Sequence, residues 1–321
     1  MLTYLHSNRP ALLLLAFLLA VLLGGAAAFN AGDVVWSTGA SGVDAWLWGS
    51  LAGRWALFAV LLSAQAYFFF RAVNLGEVFG KPLPLSAVVW VAVVGAGQAR
   101  FPDPTLGIAL ICWSLSLMQI VQIFRQQRVL GQVFQAAFWT GLAVVICPAV
   151  VPLAGAVVLT LAYSRNFAWD EWTVLLVGLF MPLYIYAAGA FVWQGAVATP
   201  DWSWSATLGL GNWDLSSGLW MGLVLVGLAG LLLFLTSYGD ASNRSRNSKN
   251  QLLFGCVALV ASWLFMDVDR PWVHLRMWAF LWLPALPMAL QGGSRGKNIL
   301  GVVTVALLVA NVIWTLWDLC A

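Results

Sequence analysis

Long apolar runs separated by short polar breaks constrain this chain more than any other feature of its sequence. Each run is about 15 to 20 residues long, the length that a helix needs to cross a hydrocarbon core of roughly 30 Å. Strands of a membrane barrel would be shorter and would alternate apolar with polar side chains. With 62% hydrophobic and 8% charged residues and a mean hydropathy of +0.89, the sequence predicts helices in a bilayer and excludes a soluble fold.

The runs predict an all-α, polytopic transmembrane helix bundle of about eleven spans. Their limits are 11–29, 55–73, 84–99, 105–124, 133–147, 149–163, 173–194, 218–237, 251–266, 277–291 and 298–317. Residues 133–163 form either two crossings or one bent excursion. We prefer two crossings, because a single excursion would place every later break on the opposite side of the membrane. Every break has at most about 25 residues, so we expect one integral membrane domain over 1–321 and no soluble domain.

Positive and negative residues are distributed unequally between alternate polar breaks. One set of breaks, which includes the N-terminus, holds eleven cations and four carboxylates, a net charge of +7. The other set, which includes the C-terminus, holds four arginines and eight aspartates, a net charge of −4. Because cations stay on the side of synthesis, we predict a cytoplasmic N-terminus, an outside C-terminus and a multi-pass protein of the bacterial cytoplasmic membrane. The net charge of +3 is a sum over two faces and gives no indication of nucleic-acid binding.

Asp33 and Asp44, in the first outer break, are candidate catalytic residues. A carboxylate at a membrane surface can act as a base toward an acceptor hydroxyl, bind a divalent ion or, beside an arginine, hold a lipid-linked phosphate. The alternative is that outer breaks keep acidic residues simply because basic ones are retained inside.

The densest polar run of the chain spans 267–276, before the tenth predicted span. We expect substrate binding by its arginines, which suit bidentate phosphate contacts, and by its indole, which can stack on a sugar. The alternative is an interfacial network of ion pairs that only fixes the loop. The candidate residues are Asp267, Asp269, Arg270, Trp272, His274 and Arg276.

Tryptophan is the most unusual component, with 20 residues in the chain. Most lie near the ends of predicted spans, as the aromatic belts of membrane proteins do. Trp202 and Trp204 lie deep in an outer break beside Asp201, where indole next to carboxylate is typical of carbohydrate sites. They are candidate substrate-binding residues, and interfacial anchoring is the alternative.

Two cytoplasmic breaks receive structural interpretations. The wholly polar break 238–250 is predicted to be a mobile topology anchor. Asp170 and Glu171 are predicted to lie in the first turn of the seventh span, where the helix dipole favours carboxylates. The cytoplasmic cations are expected to meet anionic membrane lipids.

Several chemistries are disfavoured. His6 and His274 are predicted on opposite sides, so no haem or iron site built on histidine can form, and we expect no metal and no cofactor. The four cysteines contain no Cys-x-x-Cys pair and read as packing residues. No carboxylate or lysine is clearly at mid-depth, which argues against an ion-coupled transporter.

The stretch from about 101 to 192 and the opening Ser7-Asn-Arg-Pro10 resemble an uncharacterised family of polytopic bacterial inner-membrane proteins. The matching segments are 122–125, 134–141, 165–172 and 178–182. Some members of that family carry a carotene-oxygenase label. Such enzymes hold iron with four histidines, and this chain has two.

The layout is also similar to that of multi-spanning glycosyltransferases that use lipid-linked sugars. Those enzymes have a cytoplasmic N-terminus and a catalytic carboxylate in the first outer loop, which corresponds to Asp33 and Asp44 here. The resemblance implies a transferase that handles a lipid-linked glycan or polyprenyl phosphate at the outer leaflet of the cell envelope. A non-enzymatic scaffold that contacts other membrane proteins is the alternative, and a small-solute or lipid transporter comes third.

Overall fold

A computed structural model describes residues 9–30, 51–75, 85–96, 104–123, 129–164, 168–195, 243–262, 305–307, 309–310 and 312–313. Within these residues every regular element is helical and there is no strand, which confirms the predicted all-α class. The main helices are α1 (Arg9–Asn30), α2 (Leu51–Leu75), α3 (Leu85–Trp90), α4 (Pro104–Gln122), α5 (Leu130–Ile146), α6 (Pro152–Ser164), α7 (Trp169–Gln194) and α8 (Asn243–Ser262). A π-helix, Val91–Gly95, continues α3, and a 3-10 turn, Pro148–Val150, separates α5 from α6.

Residues with strong backbone preferences mark several helix ends. Pro104 and Pro152 begin α4 and α6, where the missing N–H of proline has no partner to lose. Gly195 ends α7 at a φ of 69°, a left-handed conformation that glycine adopts without strain. Its N–H donates to the Phe191 carbonyl at 2.9 Å, which closes the last turn.

Four described helices are long and apolar enough to cross a membrane: Ala11–Phe29, Leu51–Leu75, Pro104–Gln122 and Trp169–Trp193. The described part of the chain is therefore that of an integral membrane protein. α5 has 17 residues and α6 has 13. At a rise of 1.5 Å per residue, α6 extends about 20 Å and is shorter than a hydrocarbon core. The number of eleven spans and their orientation stay predictions.

Neighbouring helices pack in a row. α1 packs on α2, α2 on α4, α4 on α5 and α5 on α7, while α3 and the π-helix lie against α1 and α2. α8 packs mainly on α6. α4 is central, with 72% of its most apolar window buried, and α7 is peripheral, with 17%. The exposed apolar surface of α7 is the surface expected to face lipid.

Small residues allow close approach of the first two helices. A Cβ atom added at Gly24 would lie 2.6 Å from the Ala59 backbone nitrogen, so only glycine fits this crossing. One turn away, Trp55 Nε1 donates a hydrogen bond of 2.7 Å to the Val21 carbonyl. In a bilayer, association of helices depends on such packing and polar contacts because lipid tails are as apolar as leucine.

Buried hydroxyl and amide groups connect the central helices. Gln65 Nε2 on α2 donates to the Gly107 carbonyl of α4 at 3.1 Å. Ser116 on α4 and Thr140 on α5 lie 2.8 Å apart, and each oxygen is 2.9 Å from the Ala136 carbonyl. Two hydroxyl protons therefore serve three close oxygen–oxygen contacts, since each hydroxyl carries one proton and the carbonyl can accept twice.

Candidate functional site

The residues that the sequence nominates for catalysis and substrate binding all lie outside the described residues. They are Asp33, Asp44, Trp202, Trp204, Asp267, Asp269, Arg270, Trp272, His274 and Arg276. Their mutual distances and the outer-leaflet site that they would form therefore stay predictions. Asp170 and Glu171, by contrast, lie in the first turn of α7, as predicted, and Glu171 is buried.

The polar segment before the predicted ninth span forms a different structure from the one expected. The sequence predicts a mobile break over 238–250 and a span that begins at 251. The structure starts α8 at Asn243, about two helical turns earlier, so the prediction was wrong for 243–250. Packing against α6 provides burial that offsets the weak helix propensity of serine and asparagine.

The first turns of α8 bury an unusual set of polar side chains. Exposure is 5% for Ser245 and Asn247, 1% for Ser248, 3% for Lys249 and 2% for Gln251. Asn243 is exposed, and Arg246 and Asn250 are half-buried. The polar start of α8, which we define as 245–251, therefore has one half-buried face, formed by Arg246 and Asn250, and a wider face inside the protein. Side chains of these types are seldom so deeply buried unless they have polar partners.

Specific contacts join this segment to two other helices. Asn250 Nδ2 donates to the Tyr163 hydroxyl of α6 at 2.6 Å, and the Tyr163 ring packs edge-on against Phe254. Gln251 Nε2 donates a longer bond, 3.4 Å, to the Ile120 carbonyl in the last turn of α4. The contacts thus bring together the end of α4, the end of α6 and the start of α8. The charge pattern of the sequence predicts that all three ends lie on the cytoplasmic side.

Two buried polar atoms in this segment have no hydrogen-bond partner among the described residues. They are the donor Asn247 Nδ2 and the acceptor Gln251 Oε1. The two residues are four positions apart, which places them on the same face of the helix. An unsatisfied buried polar group costs roughly 1–3 kcal/mol of stability, so such a pair in a native protein needs an explanation.

Positive charge is concentrated at the same place. Arg244, Arg246 and Lys249 lie in the first two turns of α8, and no acidic residue lies in its first turn. The N-terminal end of a helix is itself positive, so cations there are unfavourable unless an anion is near. Burial lowers the pKa of the Lys249 ammonium, because removal from water disfavours the charged form.

The segment therefore combines buried hydroxyl and amide groups with cations, and two of its amide atoms, Asn247 Nδ2 and Gln251 Oε1, have no hydrogen-bond partner among the described residues. Sequence reasoning missed it because polarity and cations in a break indicate a solvated loop. The available signal was the helical spacing of Ser245 with Ser248 and of Asn247 with Gln251. Among the described residues, no group of three or more His, Cys, Asp or Glu side chains is placed to hold a metal.

Comparison with protein families, curated proteins and solved structures gives no match to this chain. The described helices define the class, an α-helical integral membrane protein.

Proposed function

We propose that this membrane protein acts in the bacterial cell envelope on a lipid-linked glycan or polyprenyl-phosphate substrate at the outer leaflet. The observation that carries the proposal is the polar run 267–276, which combines Arg270, Arg276 and His274 with Trp272 between two predicted spans. Arginine forks fit phosphate oxygens and an indole face fits a sugar ring, so one short segment supplies both recognition elements.

The proposed reaction is glycosyl transfer. Asp33 or Asp44 takes the proton of the acceptor hydroxyl while the acceptor oxygen forms a bond to the anomeric carbon of the sugar. The bond from that carbon to the lipid phosphate breaks, and the phosphate leaves with the electron pair. Arg270 and Arg276 stabilise the negative charge of the leaving phosphate, and Trp202 or Trp204 stacks on the sugar.

The described spans favour an enzyme that acts at the membrane surface over an ion-coupled carrier. Charged residues of the four candidate spans are Arg54 and Arg71 near the ends of α2 and Asp170 and Glu171 at the start of α7. None of these four helices carries an ionisable carboxylate or lysine at mid-depth, where proton and ion carriers place one.

Alanine substitution at Asp33 and Asp44, one at a time, tests the proposal in a strain that lacks the native gene. Loss of the general base should lower turnover of the lipid-linked glycan by about a hundredfold or more at one of the two positions. Asp214→Ala is the matched control, because Asp214 is also predicted outside but is not a candidate. If both variants accumulate normally and restore full function, the enzymatic proposal is wrong.

A second candidate function is a non-enzymatic membrane subunit that contacts other membrane proteins. It is favoured by the surface of α7, where Phe180, Tyr184 and Trp193 are exposed along one helix. Aromatic side chains are enriched where membrane proteins meet partners as well as lipid. Purification in mild detergent tests this function, because a scaffold should copurify with a stoichiometric partner and an isolated monomer would contradict it.

A further inference from the structure

The connection between α5 and α6 has a sequence that is unusual for a turn in water. Residues 141–159, which include the 3-10 turn Pro148–Val150, contain only apolar side chains, glycine and one thiol. Turns that meet water are normally rich in asparagine, aspartate and serine. This turn is also buried, with 7% exposure for Cys147 and 0% for Val150. Its composition and its burial both favour a position inside the membrane over one at the surface.

The backbone of the turn is suited to surroundings without water. Pro148 and Pro152 have no N–H group that needs a partner. The N–H of Val150 donates to the Cys147 carbonyl at 3.0 Å, and the N–H of Val151 donates to the Pro148 carbonyl, also at 3.0 Å. Non-helical backbone is tolerated at membrane depth where it is enclosed by protein and its polar groups are satisfied there.

α4 extends beyond this turn. The short connection between α4 and α5 makes them antiparallel neighbours, and the 2.8 Å contact between the hydroxyls of Ser116 and Thr140 marks one level on both helices. From that level α5 continues for six residues to Ile146, whereas α4 extends back for twelve residues to Pro104. At about 1.5 Å per residue, α4 reaches about 9 Å further. Because the 19 residues of α4 extend about 28 Å, nearly the thickness of the hydrocarbon core, the turn lies inside that core.

α7 extends beyond the turn as well. It runs parallel to α5, since α6 returns between them, and Gly141 of α5 lies against the Leu179 carbonyl of α7. From this contact α5 ends five residues later, at Ile146, whereas α7 continues for 15 residues and so reaches about 15 Å further. The burial of α7 changes at the same level: Pro182 is buried, and no described side chain from 183 to 193 is. The neighbour that covers α7 therefore stops at the level of the turn.

From these observations we infer that α5 and α6 form a re-entrant hairpin. The chain enters the membrane through α5, turns at Pro148–Val150 inside the hydrocarbon core and leaves on the side of entry through α6. The arms have 17 and 13 residues, about 25 and 20 Å in length, against a core of roughly 30 Å. Two of the eleven predicted spans are then one re-entry, which leaves nine crossings. Re-entry returns the chain to its original side, as two crossings do, so the predicted sides of all later breaks are unchanged.

Single cysteines in the full-length protein, with its four native cysteines replaced, test the inference. Val151→Cys places a thiol at a half-buried position next to the turn, and Gly131→Cys and Ala162→Cys are controls at exposed positions near the open ends of the hairpin. In oriented membrane vesicles, a membrane-impermeant maleimide should label both controls from one and the same side and position 151 from neither side. Labelling of the controls from opposite sides, or labelling of position 151 from either side, would overturn the inference.

The depth of the turn needs a separate measurement, because a tightly packed turn in water would also resist labelling. A nitroxide attached to Val151→Cys in reconstituted bilayers should relax more with dissolved oxygen, which concentrates in hydrocarbon, than with a water-soluble nickel complex. At Gly131→Cys, near the membrane surface, the order should be reversed. Greater accessibility to nickel than to oxygen at position 151 would place the turn in water and refute the inference. Both measurements are independent of the outer-leaflet proposal, since neither depends on a substrate.

Discussion

Two helix contacts in this protein differ in their chemistry. α5 and α7 pack through small apolar residues, whereas α6 and α8 meet through polar side chains. α7 approaches α5 through glycines: a Cβ at Gly178 would lie 2.7 Å from Ala137 Cβ, and one at Gly141 would collide with the Leu179 carbonyl. α8 approaches α6 through a polar contact, the 2.6 Å hydrogen bond from Asn250 Nδ2 to the Tyr163 hydroxyl, beside which the Tyr163 ring packs edge-on against Phe254.

The comparison separates stability from function. Close glycine packing gains dispersion contacts over backbone surfaces and leaves no polar group unsatisfied. The polar start of α8 leaves Asn247 Nδ2 and Gln251 Oε1 unsatisfied and so gives up part of the stability it could have. A segment that lowers stability is a better candidate for ligand binding than one that raises it.

The largest expected effect is at the glycine contact. Gly141→Ala should destabilise the protein by about 3 kcal/mol, because the added methyl group meets the rigid Leu179 backbone and not a movable side chain. The measurement is thermal or denaturant unfolding in mild detergent. Gly189→Ala on α7 is the control: nothing lies within 4 Å of its Cβ position, so stability should be unchanged or rise by up to about 1 kcal/mol. Equal losses at both glycines would contradict close packing.

A smaller effect is expected where hydroxyls join α4 to α5. Thr140→Val should cost about 1 kcal/mol, since Ser116 keeps the Ala136 carbonyl as its acceptor and one bond is lost. Thr160→Val, whose hydroxyl bonds to the Ala156 carbonyl of its own turn, should change the unfolding free energy by a smaller amount. If the two variants lose equal stability, the bond between helices makes no separate contribution.

The smallest effect is expected at the rim of the α6–α8 contact. Tyr163→Phe removes the hydroxyl that accepts from Asn250 Nδ2 and should cost about 0.5 kcal/mol, because Asn250 is only half-buried and its amide can turn to water. Tyr184→Phe, at an exposed position on α7, should leave the melting temperature unchanged. A loss of several degrees at Tyr163 alone would mean that α8 docks more cooperatively than this contact implies.

The helices with strongly apolar sequences were predictable. The predicted segments 11–29, 55–73 and 105–124 correspond to α1, α2 and α4, with ends that differ by up to four residues. Apolar length and proline at the first turn are local signals, so no knowledge of neighbours was required. Residues 133–163 were expected to form two crossings or one bent excursion, and the structure divides them at the 3-10 turn Pro148–Val150, between α5 and α6.

The start of α8 was not predictable in the same way. Ser245, Asn247 and Lys249 have the composition of a solvated loop, and their helical state depends on α6 and on the end of α4. Those partners are 87 and 131 positions away along the chain for Asn250 and Gln251. A local pattern holds no information about such contacts, and the ten nominated site residues lie outside the described residues.

The sequence by itself determined that the chain is helical and belongs in a membrane. Apolar length decides this, because only a helix satisfies its own backbone hydrogen bonds in hydrocarbon. Tertiary structure alone decided which polar groups are buried and where glycine is indispensable. Both depend on the approach of helices that are distant in sequence, and the free energy of that approach is a property of the packed pair.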